Sequence, residues 1–330
     1  MKLSSFYLVI IWSFVLFLMV PSTAIAQYDF QVGNLYYKVT SLETCSVVKP
    51  NPGSDPSAYS GDIVVPSSVK FGNRELKVTE IDEKAFIYSN ITSLTIQGGV
   101  QIIGQHAFFC CRQLRDVNTG DDVKIIRRGA FYGCEKLEYL FLSRKLKSIE
   151  LSAFENCRAP NDRIHIPATC TEIGENAFKF KEYVSSNYSF YLDPGPSTLT
   201  LYKNAFDPIA GRLGKSIYIG RNLKLIYTYI YQFEEVIFGN GVTTMPDCLG
   251  VYVLVRKLDI GKSITSVPSI DSRVLETIII RNPTPPHAKE FPNSVYLNAI
   301  LYVPPGSLSQ FQKADVWKNF WTIKEISEDD

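Results

Sequence analysis

The stretch from Leu137 to Cys157, LEYLFLSRKLKSIELSAFENC, contains one full copy of a pattern that recurs along the chain. Its triplet Leu140-Phe141-Leu142 alternates with the period of a β-strand that has one buried face. Ile149 follows the triplet by seven residues, and Phe154 follows Ile149 by five. A unit this short cannot bury its own apolar side, so we expect it to stack on further copies of itself.

The dipeptide Ala-Phe marks the repeat most clearly. It occurs six times, and the steps between successive phenylalanines are 22, 23, 23, 24 and 28 residues. These phenylalanines are Phe86, Phe108, Phe131, Phe154, Phe178 and Phe206. The spacing predicts a solenoid of right-handed coils of about 23 residues, with a parallel β-sheet on one face and short strands, turns or short helical segments on the other. Ala-Phe is lost after Phe206, but apolar triplets continue as far as Leu301-Tyr302-Val303.

This unit resembles the leucine-rich repeat of BspA-like (treponemal-type) bacterial surface proteins. The resemblance rests on the repeated Ile-x-x-x-Ala-Phe-x-x-Cys-x-x-Leu pattern and on Pro66 and Pro167 after strands, and it runs from about Ile63 to Val303. The endings LYVPPGS (301–307) and WKNFW (317–321) are similar to the C-terminal cap of Bacteroides-type members. The resemblance implies a leucine-rich repeat solenoid, and BspA-like relatives are implicated in attachment to host proteins and cells.

The N-terminus has the pattern of a secretory signal peptide. Lys2 gives a basic start, residues 6–20 are almost wholly apolar, and Ala24-Ile25-Ala26 has the small-x-small form of a cleavage site. The apolar run is shorter than the roughly 20 residues of a membrane-spanning helix, and no cysteine follows the cut to carry a lipid anchor. We therefore expect export to the periplasm, the cell surface or the medium, with no transmembrane segment in the mature chain.

These patterns predict four parts of the chain. They are a signal peptide (1–26), an N-terminal β cap (27–60), a repeat solenoid (61–304) whose later repeats degenerate after residue 206, and a C-terminal cap with an acidic tail (305–330). Caps are expected because the end coils of a solenoid would otherwise expose their apolar faces.

Composition and charge exclude some classes of function. The 330 residues include 34 Lys and Arg against 33 Asp and Glu, so the chain lacks the basic excess of a nucleic-acid binder. His106, His165 and His287 are far apart, and HExxH, GxSxG and P-loop patterns are absent. The sequence predicts no enzyme activity, catalytic residue, cofactor or metal. The enzymatic alternative would place a site in segments 181–198 or 227–256.

Three of the seven cysteines lie in register, each three residues after a repeat phenylalanine: Cys111, Cys134 and Cys157. A zinc site needs ligands arranged as a tetrahedron, which a straight ladder of three does not supply. We expect a buried column of small apolar side chains, because a free cysteine packs as a hydrophobic residue.

The middle residue of each triplet is expected to face solvent. In chain order this row is Thr95, Asn118, Phe141, His165, Tyr191, Tyr218, Ile237, Asp259, Ile279 and Tyr302. The row is aromatic or apolar from Phe141 to Ile237, and Tyr139 and Arg163 would widen it. Exposed apolar stripes often mark binding sites, but aromatic neighbours on adjacent strands also stack for stability alone.

Two functions follow from these features. The favoured one is an exported, non-enzymatic binding or adhesion protein, which holds a protein or glycan partner on its strand face. The alternative is a structural or accessory scaffold of a cell-envelope complex, in which the solenoid serves as a spacer.

Overall fold

The fold was analysed in a computed structural model, which describes residues 28–50, 58–161, 163–181, 188–206, 214–225, 233–246 and 254–327. The predicted signal peptide (1–26), Ile226 and Cys248 lie outside these residues, as do parts of the two segments considered for an enzymatic site. The predicted fold class is confirmed, since the described chain is a solenoid of parallel strands with little helix.

Each coil contributes a front strand, which contains the apolar triplet. The front strands are β4 (Ser60–Val65), β7 (Asn90–Ile96), β9 (Asp116–Asn118), β11 (Tyr139–Phe141), β13 (Arg163–Ile166), β15 (Ser189–Leu192), β17 (Gly214–Ile219), β19 (Phe233–Phe238), β20 (Lys257–Ile260), β22 (Thr277–Ile280), β24 (Ile300–Val303) and β25 (Thr322–Glu325). Except at one break between β11 and β13, neighbouring front strands pair in parallel from one coil to the next.

Most coils also contribute a side strand, which contains the aliphatic residue five positions before the repeat phenylalanine. The side strands are β6 (Arg74–Ile81), β8 (Ile102–Ile103), β10 (Ile125–Ile126), β12 (Ser148–Ile149), β14 (Glu172–Ile173), β16 (Leu199–Leu201) and β18 (Leu223–Leu225). They form one parallel sheet. Later in the described chain only the short pair β21 (Ser266–Val267) and β23 (His287–Ala288) takes this place.

An antiparallel meander precedes the first coil and extends the side sheet. It consists of β1 (Phe30–Val32), β2 (Leu35–Val39) and β3 (Thr44–Val48). The β1–β2 turn contains Gly33 at a φ of +59°, a value that suits glycine. β3 pairs in parallel with β6, while β5 (Ser68–Phe71) pairs antiparallel with β6 across the inserted turn at Gly72-Asn73.

The front strands form two sheets, where the sequence predicted one. β4, β7, β9 and β11 form a four-stranded sheet, and the strands from β13 to β25 form an eight-stranded one. The break falls in a coil that is one residue longer than its predecessor, with 24 residues between Phe154 and Phe178. Pro160 lies in that coil, and the next residue, Asn161, donates its N–H to the Glu138 carbonyl at 3.0 Å, so the two coils stay hydrogen-bonded beside the break.

The repeat phenylalanines stack inside the solenoid. Ring centroids of successive members lie 4.9, 4.9, 5.0, 5.2 and 5.8 Å apart from Phe86 to Phe206, and their planes are within 12° of parallel. Five of the six rings are no more than 1% exposed. Each ring therefore buries its faces against the neighbouring coils, which explains why a single coil is not stable alone.

The cysteine column is buried, as predicted. The Cys111, Cys134 and Cys157 side chains are fully buried, and no disulfide joins them. Each thiol donates to the carbonyl of a phenylalanine in the preceding coil, at 3.0, 3.4 and 2.9 Å. Burial raises the pKa of the Cys111 thiol to about 12, so this side chain stays neutral.

The third side of the regular coils is built from turns with left-handed residues. Two residues before the repeat phenylalanine, φ lies between +54° and +59° in all six coils. The residues at this position are Lys84, His106, Gly129, Ser152, Asn176 and Asn204. Glycine and asparagine adopt this conformation readily, whereas lysine, histidine and serine do so at a cost.

A buried arginine spans the outward loop at Pro194-Gly195. The Arg221 side chain is fully buried and donates to the carbonyls of Ala168 at 2.6 Å and Pro167 at 3.0 Å, two coils earlier. Burial lowers the pKa of the Arg221 guanidinium from its usual value. The positive charge of Arg221 is therefore stabilised mainly by the dipoles of the Ala168 and Pro167 carbonyls.

The C-terminal end is closed by helices and an aromatic cluster. The elements are α1 (Asn293–Asn298), α2 (Leu308–Phe311), the 3-10 helix η1 (Trp317–Asn319) and the last front strand β25. Trp317 Nε1 donates to the Pro286 carbonyl at 2.6 Å, and its ring lies 5.7 to 6.1 Å from those of Phe291, Phe311 and Phe320. These rings cover the apolar end of the solenoid.

Candidate binding face

The outward side of the front strands, called here the front face, carries two exposed rings at its sheet break. Phe141 is 60% exposed and Tyr139 is 44% exposed. Both lie on β11 and point to the same side because they are two residues apart. Among the described residues neither ring packs against another aromatic ring.

A charged network lies beside Tyr139. Glu138 accepts from Arg115 at 2.9 Å and from Arg158 at 3.0 Å. The hydrogen bond from Arg115 lowers the pKa of the Glu138 carboxyl, which therefore stays ionised. Sequence reasoning missed this network, although its members come from neighbouring coils and are 20 and 23 residues apart. A search for opposite charges about one coil period apart in the sequence would have predicted these pairs.

The other residues of the predicted stripe form a row on the eight-stranded sheet, called here the ladder. His165, Tyr191, Tyr218 and Ile237 are register partners on successive strands. The Tyr191 and Tyr218 rings stack 4.3 Å apart and 7° from parallel, while the His165 ring lies 5.2 Å from Tyr191. These four residues come together as predicted. Among the described strands, however, β11 does not pair with β13, and Phe141 is not a member of the ladder.

Contacts cover the ring faces of the ladder. The Arg163 guanidinium carbon lies 5.7 Å from the centroid of the Tyr191 ring, whose faces also meet His165 and Tyr218. The Tyr218 ring lies against Gly239, where any Cβ would collide with its hydroxyl. Burial and the nearby Tyr191 raise the pKa of the Tyr218 hydroxyl. The ladder therefore offers ring edges and hydroxyls to a partner, with few free ring faces.

The expectation that every middle residue faces solvent is wrong at two positions. Ile279 is 2% exposed and Asp259 is 8% exposed. Asp259 is held by Arg281, whose Nη2 lies 2.7 Å from Oδ2 and whose Nε lies 3.0 Å from Oδ1. Ile279 lies between Asp259 and Tyr302 in the register. Side chains on the outer surface thus cover an isoleucine that sequence alternation placed in solvent.

Histidines and carboxylates are dispersed in the described ranges. His165 Nδ1 lies 3.7 Å from Asp193 Oδ1, but no group of three His, Cys, Asp or Glu side chains in those ranges could hold a metal ion. Burial and nearby Lys84 and Arg128 lower the pKa of His106. None of the helices in the described part of the chain has the length and apolarity that a membrane crossing requires.

A family model matches the central coils. Residues 79–208 match six copies of the BspA type leucine rich repeat region. No curated protein matches the chain.

Several solved structures are similar to the chain. A leucine-rich repeat protein from Bacteroides ovatus is 22% identical, with 91% of this chain and 100% of that one covered and a TM-score of 0.42. The T. pallidum leucine rich repeat protein is 24% identical, with 66% and 91% covered and a TM-score of 0.43. A leucine rich cell surface protein from Faecalibacterium prausnitzii is 17% identical, with 93% and 96% covered and a TM-score of 0.27.

Proposed function

We propose that this chain is an exported, non-enzymatic binding protein that holds a protein or glycan partner on its front face. The observation that carries the proposal is the exposed pair Tyr139 and Phe141 beside the Glu138 network. Aromatic and arginine side chains are enriched in interfaces, where rings act as anchors inside a polar rim. Arg163 and His165 lie on the next front strand and complete the rim.

Export is supported by the signal-type N-terminus, whose residues lie outside the described part of the chain. Cleavage after Ala26 would leave Gln27 as the first residue of the secreted protein. Mass spectrometry of the N-terminal peptide from the exported fraction tests this cleavage. An intact Met1 in a cytoplasmic fraction would contradict export.

The binding proposal is tested on arrays of glycans and matrix proteins. The Tyr139→Ala/Phe141→Ala double variant removes the exposed rings, and Trp321→Ala is a matched control that removes a ring 81% exposed at the C-terminal end. We expect the double variant to lose at least tenfold in affinity for a bound partner, while the control stays within twofold. Equal loss in both variants, or no partner for a folded wild type, contradicts the proposal.

The stacked Tyr191–Tyr218 pair favours the scaffold function as a second candidate. Rings that cover one another contribute to stability without a partner, by about 0.5–1.5 kcal/mol beyond burial. The Tyr191→Ala/Tyr218→Ala variant separates the two functions. A lower melting temperature with unchanged partner binding assigns the ladder to stability, and lost binding in a fully folded variant assigns it to recognition.

A further inference from the structure

A cleft lies in the outer surface of the side sheet around Gly99. Four equivalent positions adjoin each other in successive coils: Lys77, Gly99, Asp122 and Lys145. Gly99 fits closely against the preceding coil, because a Cβ there would lie 2.8 Å from the Val78 carbonyl oxygen, and the cleft opens beside it. The cleft has a volume of about 350 Å³, within the range of about 300–1,000 Å³ typical of ligand pockets.

A second row of polar side chains forms the other wall. Thr79, Gln101 and Lys124 line the cleft from successive coils. Their backbones are joined by hydrogen bonds of 2.8 Å from Gln101 N–H to the Thr79 carbonyl and from Lys124 N–H to the Gln101 carbonyl. The wall is therefore held on paired strands.

The cleft is basic, because its one carboxylate is already engaged. Asp122 Oδ1 lies 2.7 Å from Lys145 Nζ, and Oδ2 accepts from the Gly99 N–H at 3.1 Å. These contacts lower the pKa of the Asp122 carboxyl and orient Lys145 at the rim. Three lysines against one aspartate give the lining a formal charge of +2.

Two of the three ammonium groups form no ion pair with any described residue. Lys124 Nζ donates to Gln101 Oε1 at 2.9 Å, which is a neutral acceptor. Within the described residues Lys77 has no ion pair and no side-chain hydrogen bond. Because the strands of Lys77 and Lys124 are two apart in the sheet, these side chains start roughly 10 Å from each other.

The chemistry of the lining selects one class of ligand. None of the lining side chains is apolar, whereas a protein partner needs apolar or aromatic anchors. The Thr79 hydroxyl and the Gln101 amide suit sugar hydroxyls, and two separated ammonium groups suit anionic groups one disaccharide apart. We propose that this cleft binds an acidic saccharide, with Lys77 and Lys124 pairing with its carboxylate or sulfate groups.

The test uses three immobilised polymers: heparin, which is sulfated, polygalacturonate, which carries only carboxylates, and neutral dextran. The purified protein is expected to bind at least one acidic polymer in low salt and to lose affinity as salt is added. The Lys77→Ala/Lys124→Ala variant should bind at least tenfold more weakly. Preference for heparin or polygalacturonate identifies the anionic group, and either result supports the proposal.

A matched control removes the same charge elsewhere. Lys262 and Lys313 are exposed and lie far along the chain from the cleft, so Lys262→Ala/Lys313→Ala should stay within twofold of the wild type. The front-face variant Tyr139→Ala/Phe141→Ala should also keep its affinity, which separates this site from the proposed function above. Equal binding to dextran, equal loss in the lysine control, or no binding by the folded wild type overturns the proposal.

Discussion

In the regular coils (residues 79–206) each coil adds one phenylalanine to a continuous stack, whereas the terminal coils (214–327) contain no Ala-Phe pair. The terminal coils keep the inner column of the front strands, with Ile217, Val236, Leu258, Ile278 and Leu301 fully buried. Their aromatic side chains are concentrated at the end, around Trp317. The buried residues of the front strand are thus present in both regions, whereas the side of the coil that contains Ala-Phe differs between them.

The largest expected effect comes from breaking the stack in its middle. Phe131→Ala removes a buried ring from between Phe108 and Phe154, and it should lower the free energy of unfolding by about 3–5 kcal/mol. Urea denaturation measures the loss. Phe131→Leu keeps most of the volume and should lose less. If the two variants were equally stable, stacking could not be what distinguishes the regular coils.

Arg221 links the two regions, and its removal is the next largest effect. Arg221→Ala leaves the Pro167 and Ala168 carbonyls without their donor, and it should destabilise the protein by about 1–3 kcal/mol. Hydrogen exchange should show the opening centred on the junction of the regular and terminal coils. The exposed Lys262→Ala serves as the control, within about 0.5 kcal/mol of the wild type. A wild-type exchange pattern in Arg221→Ala would refute the linking role.

Alkaline pH should weaken the regular coils, which contain five of the six described cysteines. The pKa of the Cys111 thiol is raised from 9.0 to about 12 by burial. The unfolded chain therefore releases this proton first, and stability is lost progressively as pH rises from about 9 to about 12. Urea titrations across this range should show a shallower decline for Cys111→Ala. An identical slope would mean that other groups account for the loss.

The smallest expected effect is a gain in stability at the left-handed turns. Ser152 has a φ of +56°, so Ser152→Gly should raise stability by about 0.5–1 kcal/mol as strain is relieved. Asn156, at a φ of +59°, tolerates this conformation, and its Nδ2 donates to Tyr132 Oη at 2.6 Å, so Asn156→Gly should lower stability by about 0.5–1.5 kcal/mol. Thermal melts compare the two variants. A destabilised Ser152→Gly protein would show that the serine side chain contributes more than the strain costs.

The features that could be predicted from the sequence are those that recur with the coil period of about 23 residues. The phenylalanine stack, the buried thiols and the outward position of Phe141 all follow from side chains that return every 23 or so residues. The sheet break beside Pro160 could not be predicted in this way, because one extra residue changes hydrogen bonding without changing the apolar pattern. Ile279 was misplaced because it lies beside the Asp259–Arg281 pair on the outer surface and is only 2% exposed, and alternation carries no information on such burial.

The cleft at Gly99 was missed for a related reason. Lys77 and Lys145 belong to one column of the repeat and Lys124 to the next, and the residues between them differ from coil to coil. A search for recurring residues passes over a site whose members differ in type from one coil to the next. The folded surface places these side chains around one cleft.

The register between coils also bears on how such a chain changes length. Hydrogen bonds and ion pairs join residues such as Arg115 and Glu138, 23 positions apart, so most contacts link a coil to the coils before and after it, and Arg221 is an exception that reaches two coils back. If a whole coil of 23 residues were deleted, each side chain of the next coil would meet the equivalent side chain of the coil before the deletion. Deleting one residue would shift all later columns against the earlier ones. Genes for this architecture can therefore grow or shrink by whole repeats more safely than by single codons.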